Sequence, residues 1–118
     1  MPSDMRYLRK VQEATMEITR VEDGAIVMSD EDMTGRRLYS SPGAVVIHMT
    51  INPGRAIMPH SASMDMEFFV LEGEAVFTVG EEEAVARAGA LVAGPKDISH
   101  GIRNPGHVPL KILAIKNP

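Results

Sequence analysis

The sequence has no cysteine and no tryptophan, and its aromatic residues are two tyrosines and three phenylalanines. Without cysteine the chain forms no disulfide and offers no thiolate to a metal ion. Its longest apolar runs are far shorter than the roughly 20 residues that a transmembrane helix needs. Its lysines and arginines are scattered in a chain of net charge −4, unlike the clustered basic surface of a nucleic-acid-binding protein. We therefore expect neither a membrane nor a nucleic acid as partner.

The residues that are present indicate a single small globular domain. The 118 residues are 44% hydrophobic and 24% charged, which suits one domain with a modest core. The N-terminal segment lacks the apolar centre of a signal peptide, so we expect a cytoplasmic protein. Residues 3–16 carry apolar side chains at helical spacing, which predicts a short helix or, alternatively, an extended arm.

The remainder of the chain has the pattern of short β-strands. In residues 44–52, Val45, Ile47, Met49 and Ile51 share one face of a strand, and His48 lies on the other face as a surface or contact residue. Turns rich in glycine, proline and asparagine separate the segments, which predicts a two-sheet jelly-roll barrel. The other predicted strands are 25–28, 36–40, 68–71, 75–79, 84–88, 91–93, 99–103 and 108–115.

Residues 54–73 contain the first of two motifs. Gly54 opens the stretch, His60 follows after five intervening residues, and a strand at 68–71 runs into Gly73. A glycine that ends a strand is typical of a turn with φ > 0.

Residues 89–104 contain the second motif, and the two together carry a family resemblance. Its spaced residues are Gly89, Pro95, His100 and Asn104, and Asp97 stands where the motif has a glycine. The two stretches resemble the paired motifs of the cupin family, which implies an all-β fold, a double-stranded β-helix or jelly-roll barrel, here with an N-terminal helix or arm. We expect residues 1–34 to form the arm and first strands and residues 35–118 the barrel.

The resemblance also implies a metal site inside the barrel, made from the two histidines and a carboxylate. The first motif of the family has a second histidine where this chain has Ala62, so one ligand is missing. The glutamate position falls on Glu67 when it is counted from Ala62 and on Met66 when it is counted from Gly73. Strand alternation favours Met66 as the inward residue. The predicted metal ligands are His60, His100 and Glu67.

Three hypotheses remain for the interior. The first is a weakened site for one divalent ion, iron, manganese, nickel or zinc, and the second is a metal-free apolar pocket. The third is a copper site in which the Met66 thioether joins the two imidazoles. The predicted pocket residues are Met49, Met58, Ala62, Met64, Met66, Phe68, Phe77 and Ile102.

The function that this resemblance implies is that of a small single-domain cupin, a metal-dependent enzyme of the dioxygenase or isomerase type. The alternative is a metal-free barrel that binds a small molecule or serves as a dimerisation platform. We expect a small-molecule ligand in either case. We also expect a homodimer, because a two-sheet barrel leaves strand edges exposed.

Overall fold

The computed structural model describes residues 16–118, which form ten β-strands and one 3₁₀ turn. The helix or arm predicted over residues 3–16 lies outside the described residues except for Met16. The turn is Val21–Asp23, and the strands are β1 (Ala25–Ser29), β2 (Met33–Ser40), β3 (Val45–Ile51), β4 (Ala56–His60), β5 (Asp65–Glu72), β6 (Glu74–Val79), β7 (Glu82–Arg87), β8 (Leu91–Gly94), β9 (His100–Arg103) and β10 (Leu110–Asn117).

The strands form two antiparallel sheets. The six-stranded sheet has the order β1-β2-β3-β10-β5-β8, and the four-stranded sheet has the order β4-β9-β6-β7. Strand β10 lies in the middle of the larger sheet, where it pairs with both β3 and β5. The predicted all-β jelly roll is confirmed. The boundary expected between residues 34 and 35 falls inside β2, and β1 belongs to the same sheet as the barrel strands.

The core fills the space between the sheets, and its residues follow the alternation of the strands. On β5 the inward positions are Met66, Phe68 and Val70. The Phe68 ring meets the Phe77 ring of the opposite sheet at a centroid distance of 5.7 Å. Other buried apolar residues of the larger sheet include Met33 on β2, Met49 and Ile51 on β3, and Leu110, Ile112 and Ala114 on β10.

Two residues of the second motif have structural roles. Asn104 is buried, and its Nδ2 donates to the Ile51 carbonyl at 3.0 Å and to the Val108 carbonyl at 2.8 Å. Its Oδ1 accepts from the Gly106 amide. Asp97 has φ 63°, which explains why the motif has a glycine at this position: the left-handed region favours residues without a β-carbon.

Among residues 16–118, no helix has the length and apolar character needed to cross a bilayer. The expected homodimer stays a prediction, because the structure contains one chain.

Candidate ligand-binding cavity

A cavity of about 320 Å³ lies between the two sheets. Methionine, aliphatic and aromatic side chains form most of its wall, and His60 and His100 form part of it. Its size is that of a small-molecule site, for which volumes of about 300–1,000 Å³ are usual. The predicted pocket residues Met49, Met66, Phe68 and Ile102 do line it.

The two motif histidines lie side by side in this wall. His60 ends β4 and is paired across the sheet with His100, the first residue of β9. Their ring centroids are 4.8 Å apart and their planes are inclined at 57°. The His100 ring also packs at 5.2 Å from the Phe68 ring. The structure therefore brings together the two imidazoles that the sequence motifs single out.

One hydrogen bond to the backbone determines which ring nitrogen of His60 can contact a ligand. His60 Nδ1 lies 3.1 Å from the backbone carbonyl oxygen of Met58. A carbonyl oxygen only accepts hydrogen bonds, so in this contact Nδ1 carries the proton. In the neutral ring, Nε2 then keeps an unshared electron pair for a ligand.

His100 is in a drier environment than His60. It is 2% exposed, and its Nδ1 has no hydrogen-bond partner among the described residues. Burial lowers the pKa of His100, the neighbouring His60 lowers it further, and the Ile98 backbone carbonyl opposes these effects. The lowered pKa favours the neutral imidazole, which accepts hydrogen bonds rather than repelling cations.

Glu67 is not with the histidines, and the predicted ligand set of His60, His100 and Glu67 does not form. The Glu67 carboxylate lies on the outer face of the larger sheet, where both of its oxygens accept from Asn117 Nδ2 at 2.8 and 2.9 Å. The β-bulge on β5 falls at Leu71, beyond this region, so the alternation at Met66 and Glu67 is undisturbed. Met66 therefore takes the inward position, as strand alternation indicates.

Met58 was predicted in the pocket, but its side chain is 74% exposed. Strand β4 has an irregular register between Ile57 and His60, where three steps on β4 match two on β9. The extra residue puts Ile57 and His60 on the inward face and turns Met58 outward. The prediction that Met58 lines the pocket is therefore wrong.

Three other predicted pocket residues lie near the cavity without lining it. Ala62 and Met64 follow the end of β4, are half-buried and pack against the core. Ala62 is thus in a loop, and its carbonyl oxygen accepts from the Asp97 amide at 2.8 Å. Phe77 is buried behind Phe68.

Arg37 and Lys116 also line the cavity, although neither is among the pocket residues predicted from the sequence. Arg37 is paired with Ile47, and Lys116 is paired with both Val45 and Met66. Residues paired directly across a sheet share a face, so both cations are on the inward face. The alternating inward positions of β10 include Ala114, and the next inward position, two residues further on, is Lys116. This position could therefore have been predicted from the sequence.

The residues present do not fit the divalent-metal site that the family motifs imply. Two imidazoles are available, but Ala62 and Met66 stand where further ligands are expected, and no carboxylate of the described residues lines the cavity. No group of three or more histidine, aspartate or glutamate side chains within residues 16–118 is arranged to hold a metal ion. Iron and manganese prefer a facial set that includes a carboxylate.

The fold and the paired motifs define the family. Residues 47–116 match the model of the cupin domain, and the chain belongs to the cupin family. A comparison with curated proteins finds no significant match.

Three solved structures illustrate the likeness. The TT1209 protein from Thermus thermophilus is 30% identical, with a TM-score of 0.76 over 87% of this chain and 98% of that chain. An RmlC-like cupin from Shewanella frigidimarina is 17% identical, with a TM-score of 0.79 over 88% and 92% of the two chains. A predicted oxalate decarboxylase from Thermotoga maritima is 21% identical, with a TM-score of 0.77 over 86% and 98%. The last two likenesses concern the fold alone.

Proposed function

We propose that this protein is a metal-free cupin that binds a small organic molecule in the cavity between its sheets. The observation that carries the proposal is the composition of the wall: it is mostly apolar, it contains two adjacent imidazoles, and no carboxylate of residues 16–118 lies with them to complete a metal site. Ligand sites in proteins commonly combine an apolar wall with a few polar groups that fix orientation. His60 and His100 supply such groups here.

The chemistry of the two imidazoles defines what the ligand offers to them. His60 Nε2 accepts a hydrogen bond when Nδ1 is bonded to the Met58 carbonyl. The lowered pKa of His100 keeps that ring neutral. A hydroxyl or amide N–H of the ligand is therefore a suitable partner for His60, while the apolar part of the ligand packs against Met49 and Phe68.

The test uses a variant that fills the cavity without changing its charge. Gly35 lines the cavity from β2, and a β-carbon at Gly35 would lie 3.5 Å from atoms of Ile47 and Met33, in ordinary contact. Gly35→Leu should therefore remain folded and project apolar atoms into the cavity. Nuclear magnetic resonance titration of the parent with a library of small aromatic and aliphatic compounds should shift resonances of cavity residues, and Gly35→Leu should abolish those shifts.

Gly43→Leu is the matched control, because no atom outside its chain neighbours lies within 4 Å of a β-carbon built there. It adds the same side chain at a turn and should bind compounds as the parent does. Binding that survives in a folded Gly35→Leu variant would mean that the compounds occupy another place, and the proposal would be wrong.

A metal-dependent enzyme is the second candidate, and the histidine pair favours it. A centroid separation of 4.8 Å suits two imidazoles on one ion, since metal–nitrogen bonds of about 2.0–2.1 Å place two ring centres about 5 Å apart. Elemental analysis of protein purified without a metal-affinity tag decides between the candidates. Metal at one equivalent per chain, lost in His60→Ala, would favour the enzyme; far less than one equivalent supports the metal-free barrel.

A further inference from the structure

Among residues 16–118, the ionisable side chains that line the cavity are all basic. They are Arg37 and Lys116 on the larger sheet and His60 and His100 on the smaller one, and none of the described aspartates and glutamates lines the cavity with them. Elsewhere in the described part of the chain, cations do have acidic partners, as Lys111 has Glu72 and Arg87 has Glu74. The two cations that line the cavity therefore lie apart from the described carboxylates, although the chain as a whole carries a net negative charge.

The sheet register fixes where the two cations lie. Arg37 on β2 and Lys116 on β10 are separated by β3 alone, so their backbones are about 10 Å apart across the sheet. Lys116 lies between Val45 and Met66, and Arg37 lies opposite Ile47, two positions further along β3. Both side chains are long enough to approach one group placed between them.

The described residues around these two cations supply no fixed counterion for either charge. Within residues 16–118, no carboxylate lies at ion-pair distance from Arg37 or Lys116. Arg37 is exposed, whereas Lys116 is half-buried beside the apolar side chains of Val45 and Met66. A cation against an apolar wall is stabilised when an anion arrives, since charge-assisted hydrogen bonds are stronger where water is excluded.

We infer that the ligand is a small carboxylic acid with an apolar body, bound with its carboxylate at Arg37 and Lys116. The apolar body lies against Met33, Met49 and Phe68, which line the same cavity. The inference rests on the proposed function, because it names the chemical class of the ligand for the same cavity. It adds a charge requirement that a purely apolar pocket does not have.

The experiment compares acids with amides of the same shape. Benzoate is paired with benzamide and hexanoate with hexanamide, and calorimetric titration at pH 7 and low ionic strength measures each affinity. Each acid should bind at least about tenfold more tightly than its amide, a difference that corresponds to about 1.4 kcal/mol. Added salt should reduce the difference, because part of it is electrostatic.

Variants assign the preference to the two cations. Arg37→Gln and Lys116→Gln should each weaken acid binding about tenfold and leave amide binding unchanged, and Arg37→Lys should keep part of the preference. Lys111→Gln is the matched control: Lys111 is on β10 like Lys116 but is paired with Thr50 and Glu72, on the other face. This control should bind the acids as the parent does.

The outcomes separate the inference from the proposed function. Equal binding of acids and amides in the parent, abolished by Gly35→Leu, would keep the binding cavity and overturn the carboxylate. A preference for acids that persists in the double variant of Arg37 and Lys116 would also overturn it. If no acid and no amide binds the folded parent at millimolar concentration, both the proposed function and this inference fail.

Discussion

Met66 is the residue that most changes what the barrel interior can do. It points inward from β5, is 7% exposed and lines the cavity beside the histidine pair. Its neighbour Glu67 would be the better metal ligand but is held on the opposite face by Asn117. Because side chains alternate between the two faces of β5, the thioether of Met66 rather than the carboxylate of Glu67 takes the inward position, where a divalent-metal site would need a carboxylate.

We predict that Met66→Glu creates a divalent-metal site. The new carboxylate would share the cavity wall with His60 and His100, so affinity for nickel or zinc should rise at least about tenfold over the parent. Without metal the variant should be less stable than the parent, because a buried carboxylate without a partner is costly. Calorimetric titration measures the affinity, and thermal unfolding with and without metal measures the stability.

Glu67→Gln is the control for this prediction. It removes the charge from the outer face and should leave metal affinity unchanged. A folded Met66→Glu variant that binds no better than the parent, or a loss of metal binding in Glu67→Gln, would mean that the side chains of β5 are assigned to the wrong faces.

At the scale of elements, the sequence was sufficient wherever a strand alternates regularly. The inward set of β3 and the position of Met66 on β5 follow from period two alone. Met58 could not be placed, because the irregular register of β4 near Pro59 shifts the alternation by one residue. Such a shift depends on pairing with β9, which is distant in sequence. Arg37 and Lys116 were missed since a charged residue on a strand is usually assigned to the surface.

Two turn glycines allow the stability cost of backbone strain to be measured separately from the cost of steric crowding. Gly73 has φ 90° and Gly89 has φ 93°, so an alanine at either position should cost about 1–2 kcal/mol for the left-handed conformation. A β-carbon at Gly73 would also lie 3.3 Å from the Pro109 carbonyl oxygen, whereas nothing lies within 4 Å at Gly89. Gly73→Ala should therefore destabilise by about 1 kcal/mol more than Gly89→Ala, as measured by urea unfolding. Equal losses of stability in the two variants would indicate that the backbone at Pro109 moves away from the new β-carbon at no cost in free energy.

For the whole molecule, two buried histidines predict how stability changes with pH. His48 is 7% exposed on the outer face of the larger sheet, so the expectation of a surface residue is wrong, and the alternative, a contact residue between subunits, stays a prediction. Burial lowers the pKa of His48, and Lys111 lowers it further, while Glu72 opposes them. Burial likewise lowers the pKa of His100. In both cases the unfolded chain, with a pKa of 6.5, takes up the proton first as the pH falls.

The free energy of unfolding should therefore decrease as the pH falls below about 6.5. The contribution of each histidine to this decrease should end once the pH is below the pKa of that histidine in the folded protein. Each group contributes at most about 1.4 kcal/mol per pH unit in that window. Urea unfolding at a series of pH values from 8 to 5, about the range in which histidine titrates, measures the slope. His48→Gln and His100→Gln should each reduce it. An unchanged slope in both variants would show that other groups cause the pH dependence.

The strands that form the cavity wall differ in how many neighbouring strands they pair with. Val27 and Met28 line it from β1, and β1 pairs with β2 alone and forms the edge of the larger sheet in the described part of the chain. Edge strands open more readily than central ones, which links cavity access to fraying of one strand. If a ligand binds as proposed, its rate of release should depend on the opening of β1 as well as on its contacts with the cavity wall. A bound ligand should accordingly slow amide hydrogen exchange in β1 more than in β10.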